Sequence, residues 1–367
     1  MSPISLSPTL KVNLGDRSHP VYVGAHILER LDDLIKIHAP EATGCVVVTS
    51  ESVNELFGSL TMDSLRRLNP TVLTVPDGEQ AKTWDEASAL IEGFVEAGLD
   101  RRGLVVALGG GTVGDLAGFA ASIYLRGVGV VQVPTTLLSQ ADSCIGGKTA
   151  VNHHEGKNLI GSFHQPALVA VDTGLLGSLP RREVISGLAE LVKHGVIADE
   201  ALFGLIDARS QELVGGDTEA LTGAVRCSLA VKASFVEGDE RETRGIRVCL
   251  NYGHTLGHAV ERLSGSRVRH GEAVAMGMDI AASLGVSRGV FSEERLSEQR
   301  RVLHGVGLET RIPDLDACEL LGVAKRDKKN QGGKIRLVLP TGIGSTPVLE
   351  EASEAELRSV LEENMVG

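Results

Sequence analysis

The run Leu104-Val-Val-Ala-Leu-Gly-Gly-Gly-Thr-Val-Gly-Asp115 constrains the fold more than any other stretch, because a wholly apolar strand runs straight into glycines and then into a helical pattern over Val113 to Ile123. A strand without polar alternation must be covered on both faces, which calls for a parallel sheet flanked by helices. Glycines at its end permit positive φ angles and let backbone N–H groups approach an anion at the helix N-terminus. The segment contains G-x-G-x-x-G, although a tight strand-to-helix turn alone would use the same residues. The acid that ordinary dinucleotide folds place about 20 residues downstream is missing, since residues 131–135 hold none. Ribose recognition then falls to Thr49-Ser50-Glu51 or to Pro76-Asp-Gly-Glu-Gln-Ala-Lys82, both at carboxyl ends of predicted strands.

The same pattern extends through the front half. Leu10 to Leu14 and Val21 to Val23 suggest an opening hairpin, and buried-type strands are expected at Cys45 to Thr49, Thr71 to Val75, Leu104 to Leu108, Val128 to Val133 and Leu168 to Val171. A helix over Trp84 to Ala97 alternates with them, so this half reads as α/β, Rossmann-like, with a mostly parallel sheet. Beyond Asp172 the periodicity turns helical over Glu183 to Ile197, Leu221 to Phe235, Thr255 to Leu263, Glu272 to Leu284 and Glu293 to Leu303, and only Ile335 to Leu339 reads as a strand. The boundary falls in the Gly-Ser-Leu-Pro turn near Leu175 to Pro180, giving domains 1–178 and 179–367. A chain of 367 residues exceeds what one core sustains, and 42% hydrophobic residues supply two.

A formal charge of −12 argues against nucleic acid or anionic membrane as partners, so any anionic ligand must meet a local basic cluster. Cys45, Cys144, Cys227, Cys249 and Cys318 are odd in number and scattered, which fits reduced thiols in a cytoplasmic protein. Met1 to Asp16 carries no basic-then-apolar leader, and no run of ~18 apolar residues exists to span a membrane.

Asn251-Tyr-Gly-His254-Thr-Leu-Gly-His258 sets two histidines on one helix face, and Arg269-His270-Gly-Glu272 adds a third. Isolated histidines are more often hydrogen-bonded surface or core groups, but three among glycines suggest a metal site. Glu190, in Ser186-Gly-Leu-Ala-Glu-Leu-Val-Lys-His194, offers a carboxylate. Two imidazoles and one carboxylate suit a catalytic divalent ion with open positions. Thr255 follows His254 where a metalloprotease would carry its glutamate, so peptide hydrolysis is disfavoured. Gly146-Gly-Lys148-Thr149 resembles the end of a P-loop, but Asp142 stands where its first glycine belongs. Lys148, Lys157, Lys193, Lys232, Arg247 and Lys328 are cations available to carboxylate and phosphate, although each taken singly reads as surface charge.

In these motifs taken together, the chain resembles the dehydroquinate synthase family almost end to end. The resemblance rests on Gly109 to Asp115, Val133 to Leu138, Asp142 to Asn152, Gly156 to Gly161, Asp239 to Glu242, Asn251 to His258, His270 to Ala273 and Arg326 to Lys329. It implies an NAD-binding α/β domain followed by a mainly α-helical metal- and substrate-binding domain. Metal ligation by Glu190, His254 and His270 follows from it, for one zinc or cobalt ion. NAD contacts fall to Asp77, Glu79, Lys82, Gly110, Gly111, Thr112, Gly114, Asp115, Thr135, Thr136 and Lys157. Substrate and proton-transfer roles fall to Asp142, Lys148, Asn158, Lys193, Lys232, Glu242, Arg247, Asn251, His258 and Lys328, with Arg247 placed by counting back from His254. Arg126 is expected to reach a neighbouring subunit's substrate, which implies a homodimer. The implied reaction converts a seven-carbon phosphorylated keto acid to a carbocycle by transient oxidation, phosphate elimination, re-reduction and aldol closure. Another sugar phosphate cyclase, or a metal- and NAD-dependent polyol dehydrogenase of related fold, is the alternative.

Overall fold

The computed structural model describes residues 7–313, 315–325 and 334–365, and the chain divides into two compact units, Met1–Leu179 and Pro180–Gly367. Unit 1 runs β1 (Leu10–Val12), β2 (His19–Gly24), α1 (Leu31–His38), β3 (Cys45–Ser50), α2 (Glu51–Ser64), β4 (Thr71–Val75), α3 (Trp84–Glu96), β5 (Leu104–Gly109), α4 (Gly111–Ile123), β6 (Gly129–Pro134), β7 (Lys148–His153), β8 (Gly156–Phe163) and β9 (Leu168–Asp172). Seven of these strands form one sheet in the order β1-β2-β9-β6-β5-β3-β4, parallel except for the β1–β2 hairpin.

Side-chain alternation in the central strands explains why they read as continuous apolar runs. Val46, Val48, Val105 and Ala107 point into one core with Leu90 and Phe94 of α3 and Leu116 and Ala120 of α4. Cys45, Val47, Leu104, Val106 and Leu108 point into the other, with Leu31, Leu34 and Ile35 of α1 and with Val53 and Phe57 of α2 against it. Both faces are therefore dry. β4 departs from the buried-type expectation: it is the sheet's edge, and only Val75 is buried.

The hairpin β7–β8 was not legible as strands, because polar residues outnumber apolar ones in β7 and match them in β8, which Gly161 interrupts. It pairs from Lys148 opposite Phe163 to His153 opposite Gly156 and packs on α4. A Cβ at Gly118 would stand 2.5 Å from Thr149 Cγ2, so glycine there lets the hairpin lie flat on the helix.

Unit 2 is helical: α5 (Arg181–Ala198), α6 (Glu200–Ala208), α7 (Ser210–Val214), α8 (Thr218–Gly238), α9 (His254–Ser264), α10 (His270–Ser287), α11 (Glu293–Gly305), α12 (Ala317–Lys325) and α13 (Glu354–Asn364), with one hairpin of β10 (Ile335–Leu339) and β11 (Val348–Ala352). β11 corrects the reading of a single strand, since Glu350 and Glu351 disguise its solvent-facing side. No helix of the described residues is long and apolar enough to cross a membrane.

Three close backbone crossings hold α5, α9 and α10 together. A Cβ at Gly271 would fall 1.8 Å from the Ser186 carbonyl oxygen, one at Gly277 1.9 Å from that of Gly253, and one at Gly257 2.9 Å from that of Ala273. Gly253 itself has φ of 79°, which turns the chain into α9 at His254.

Candidate metal and nucleotide sites

In unit 2 the glycine crossings carry three donors to one point. Glu190, 1% exposed, projects from α5, His254 opens α9 and His270 opens α10. Glu190 Oε1 lies 3.3 Å from His254 Nε2 and 3.5 Å from His270 Nε2, and the donor atoms of all three fall within 4.8 Å of one another. Ligands about 2.0–2.2 Å from a tetrahedral ion are themselves roughly 3.3–3.6 Å apart, so the spacing fits a zinc-sized cation. Both rings are held by hydrogen bonds at Nδ1. His254 Nδ1 lies 3.1 Å from the Tyr252 carbonyl and His270 Nδ1 3.0 Å from Glu261 Oε2, which leaves each Nε2 lone pair directed inward. Among the described residues neither Glu190 oxygen receives a well-aligned hydrogen bond, although Lys193 Nζ stands against Oε2. A buried, underused carboxylate beside two inward lone pairs is the donor set a divalent ion requires.

Burial opposes the charge on Glu190, but Lys193 and then His254 outweigh it and hold the carboxyl well below its usual range. Burial lowers the His254 value. Burial also opposes the charge on His270, yet the carboxylates of Glu190 and Glu261 push it up to about 9. In the metal-free protein a proton on His270 therefore competes with the ion. Below about pH 9, metal affinity is expected to rise up to tenfold per pH unit, with about one proton released per ion bound. The sign is opposite for stability of the metal-free chain, where the contribution of protonated His270 is full below its unfolded value and lost as pH rises through about 9. Chelator competition at two pH values checks this, and a pH-independent affinity would contradict it.

His258 completes a ring cluster, with centroids 5.3 Å from His254 and 5.9 Å from His270, but it is exposed. Lys193, Lys232 and Arg247 are 1%, 5% and 2% exposed, against the surface-charge reading of such residues. Arg247 is held in a loop organised by Asp239, whose carboxylate accepts N–H groups of Thr243 at 2.8 Å and of Arg244 and Ile246 at 3.1 Å. Its Nη1 donates to the Glu240 carbonyl at 2.9 Å, and its Nε lies 3.7 Å from Glu242 Oε1. Glu242 has φ of 54°, and the Asn251 amide donates to the Val248 carbonyl. Lys328 lies outside the described residues.

In unit 1 the candidate nucleotide groups gather at carboxyl ends of strands. β3 pairs with β4 on one side and β5 on the other, and α2 and α4 leave toward opposite faces, the position at which such sheets take ligands. The glycines act there differently from expectation. None of Gly109, Gly110, Gly111 or Gly114 has positive φ, and Gly110 is extended at φ −69°. They serve close approach instead: a Cβ at Gly109 would meet Val113 Cβ at 2.6 Å, at Gly110 Thr136 Cγ2 at 3.1 Å, and at Gly114 Gln132 Oε1 at 2.8 Å. No side chain caps α4, so its first-turn amides are left without a side-chain acceptor.

Asp77 accepts from Ser52 Oγ at 2.6 Å, and the hydroxyls of Ser50 and Ser52 hold its carboxyl below the usual range. Glu79 accepts from Thr112 Oγ1 at 3.1 Å and from the Asn152 amide at 2.8 Å. Buried Lys82 and half-buried Asp115 meet in an ion pair at 2.5 Å. The Thr135 amide donates to the Gly109 carbonyl, and Thr136 Oγ1 lies 2.8 Å from Ser139 Oγ. Asp142 sits in a π-helical turn, Ser139–Ser143, Lys148 opens β7, and Lys157 and Asn158 are exposed on β8. Arg126 and Asn158 have φ of 70° and 56°, so three of the substrate candidates, with Glu242, hold left-handed backbone of the kind that clusters at functional sites. Asn152 was assigned no role from sequence. It binds Glu79, accepts the Asn158 amide and donates its own amide to the Lys82 carbonyl, tying the 76–82 loop to the hairpin.

A parallel-sheet unit with a dinucleotide-type glycine turn, followed by a helical unit with a two-imidazole, one-carboxylate donor set, defines a class of two-domain metalloenzymes. Comparison with known proteins narrows the class. A family model described as 3-dehydroquinate synthase N-terminal matches residues 72–186, and one described as 3-dehydroquinate synthase C-terminal matches residues 187–330. The chain belongs to the 3-dehydroquinate synthase family. It is 44% identical over 355 residues to the 3-dehydroquinate synthase of Symbiobacterium thermophilum and 42% identical over 357 residues to that of Desulforamulus reducens, each time covering 96% of this chain and 99% of the relative. Among solved structures it is similar to 2-deoxy-scyllo-inosose synthase complexed with carbaglucose-6-phosphate, NAD+ and Co2+. That similarity has a TM-score of 0.89 at 28% identity and covers 97% of this chain and 99% of the other.

Proposed function

We propose that the protein converts 3-deoxy-D-arabino-heptulosonate 7-phosphate to 3-dehydroquinate and phosphate, a carbon–oxygen lyase reaction followed by ring closure. The observation that carries the reading beyond family membership is the set of buried cations Lys193, Lys232 and Arg247 in the unit that holds the metal donors, within a chain of net charge −12. Three buried cations concentrated in one unit of an acidic chain form the local positive cluster that a carboxylate and a phosphate would meet. A polyol dehydrogenase has no such need.

Glu190, His254 and His270 hold the divalent ion in this reading, while the glycine turn, Asp77, Glu79, Lys82, Thr112, Asp115, Thr135, Thr136 and Lys157 hold NAD. When bound, the ion polarises substrate oxygens and NAD accepts and returns a hydride. Lys148, Asn158, Lys193, Lys232 and Arg247 bind carboxylate and phosphate, Asp142 and Asn251 orient hydroxyls, and His258 and Glu242 carry protons. Lys328 belongs to the same substrate set. A homodimer in the cytoplasm completes the proposal, with Arg126 serving the neighbouring copy. Exposed Ile123, Leu125, Leu159 and Phe163 near Arg126 in sequence, or on the hairpin packed against α4, supply apolar surface for it. A monomeric mass in solution would count against the dimer.

The conversion is redox-neutral, so the cofactor should be recycled. With NAD well below substrate, phosphate release is expected to exceed total NAD many-fold while absorbance of reduced nicotinamide stays flat. Reduced cofactor accumulating in step with turnover would overturn the synthase reading in favour of the dehydrogenase.

A further inference from the structure

The two histidines of the metal site are held by unlike partners. His254 turns its Nδ1 to a backbone carbonyl, that of Tyr252, whose own phenol oxygen lies within unit 2 at 3.1 Å from the Met278 carbonyl and 2.8 Å from the Gln299 side-chain amide. His270 turns its Nδ1 to a side-chain carboxylate, Glu261 Oε2, at 3.0 Å. Glu261 lies seven residues after His254 on α9, and i, i+4, i+7 spacing puts His254, His258 and Glu261 on one helical face. Its side chain is 20% exposed and that of His270 28%. The site thus spans two helices by a carboxylate from α9 gripping a ligand on α10.

We propose that Glu261 is a positioning residue for the metal centre: by accepting the Nδ1–H of His270 it fixes the tautomer and ring plane of that ligand and strengthens Nε2 as a donor. The carbonyl on His254 fixes orientation but supplies no full charge, so Glu261 makes His270 the stronger of the two imidazole donors. Carboxylate partners of this kind typically change metal affinity by about 10–100-fold. The proposal rests on Glu190, His254 and His270 being the metal ligands.

The test uses the full chain, stripped of metal, with Glu261→Ala and Glu261→Gln beside the wild type. Zinc affinity is measured by chelator competition, the absorption spectrum is recorded with cobalt, and the melting temperature is taken without metal. The alanine variant is expected to bind zinc about 10–100-fold more weakly with a changed cobalt spectrum and an unchanged metal-free melting temperature. The glutamine variant, whose amide oxygen still accepts from Nδ1–H, should recover part of the loss. Wild-type affinity in the alanine variant would overturn the proposal while leaving the metal centre in place, as would equal losses in both variants that merely follow a lowered metal-free melting temperature. A wild-type chain that binds no zinc would overturn the metal centre itself and this inference with it.

Discussion

Glu190→Ala and His270→Ala proteins are expected to leave dialysis against a mild chelator essentially free of metal, while the wild type retains close to one ion per chain. Four-ligand zinc peptides bind with about 10–16 kcal/mol in total, so one ligand is worth on the order of 3–4 kcal/mol, or two to three decades of affinity. The two variants should differ in their metal-free stability. Removing His270 deletes a partly exposed ring, whereas removing Glu190 leaves the ammonium of Lys193 buried without its carboxylate, a change that costs about 3–5 kcal/mol when a buried pair is broken. Glu190→Gln should therefore keep more stability than Glu190→Ala and still bind metal poorly. Elemental analysis and thermal melts separate the two effects. Stoichiometric metal in either alanine variant would remove that residue from the ligand set.

Gly271→Ala is expected to damage fold and site together. Its Cβ would stand 1.8 Å from the Ser186 carbonyl oxygen, and a backbone atom cannot rotate aside as a side chain can. The helices α5 and α10 must separate at the point where they carry Glu190 and His270. Overpacking of this kind costs about 1–3 kcal/mol and sometimes more, which for a unit of this size lowers the melting temperature by roughly 2–12 °C. Metal affinity should fall in the same variant although no ligand is changed. Gly204→Ala on α6 is the matched control: nothing lies within 4 Å of its Cβ, so helix propensity alone predicts a gain of about 0.5–1 kcal/mol. A Gly271→Ala protein that melts and binds metal like the wild type would show that the crossing tolerates the methyl group.

The strands at the centre of the sheet were legible because both faces of β3 and β5 are buried, and a run such as Leu104 to Leu108 can satisfy no other environment. The pairing of His254 with His258 on one face was equally legible, since helical spacing is local. The hairpin β7–β8 and the strand β11 were not, because glycine and glutamate mask a two-residue period whose apolar side is set by what it packs against. The same limit governed the glycine turn. Its composition announced a close backbone approach, but only the fold decided that the glycines clear Val113, Thr136 and Gln132 and need no left-handed backbone. In the metal site, sequence alone offered three histidines and a distant glutamate. Tertiary structure decided which Nε2 atoms face Glu190, through crossings at Gly253, Gly257, Gly271 and Gly277 that join residues far apart in the chain. It also decided that two chemically identical imidazoles have their basicity moved in opposite directions, lowered by burial at His254 and raised against burial by Glu190 and Glu261 at His270.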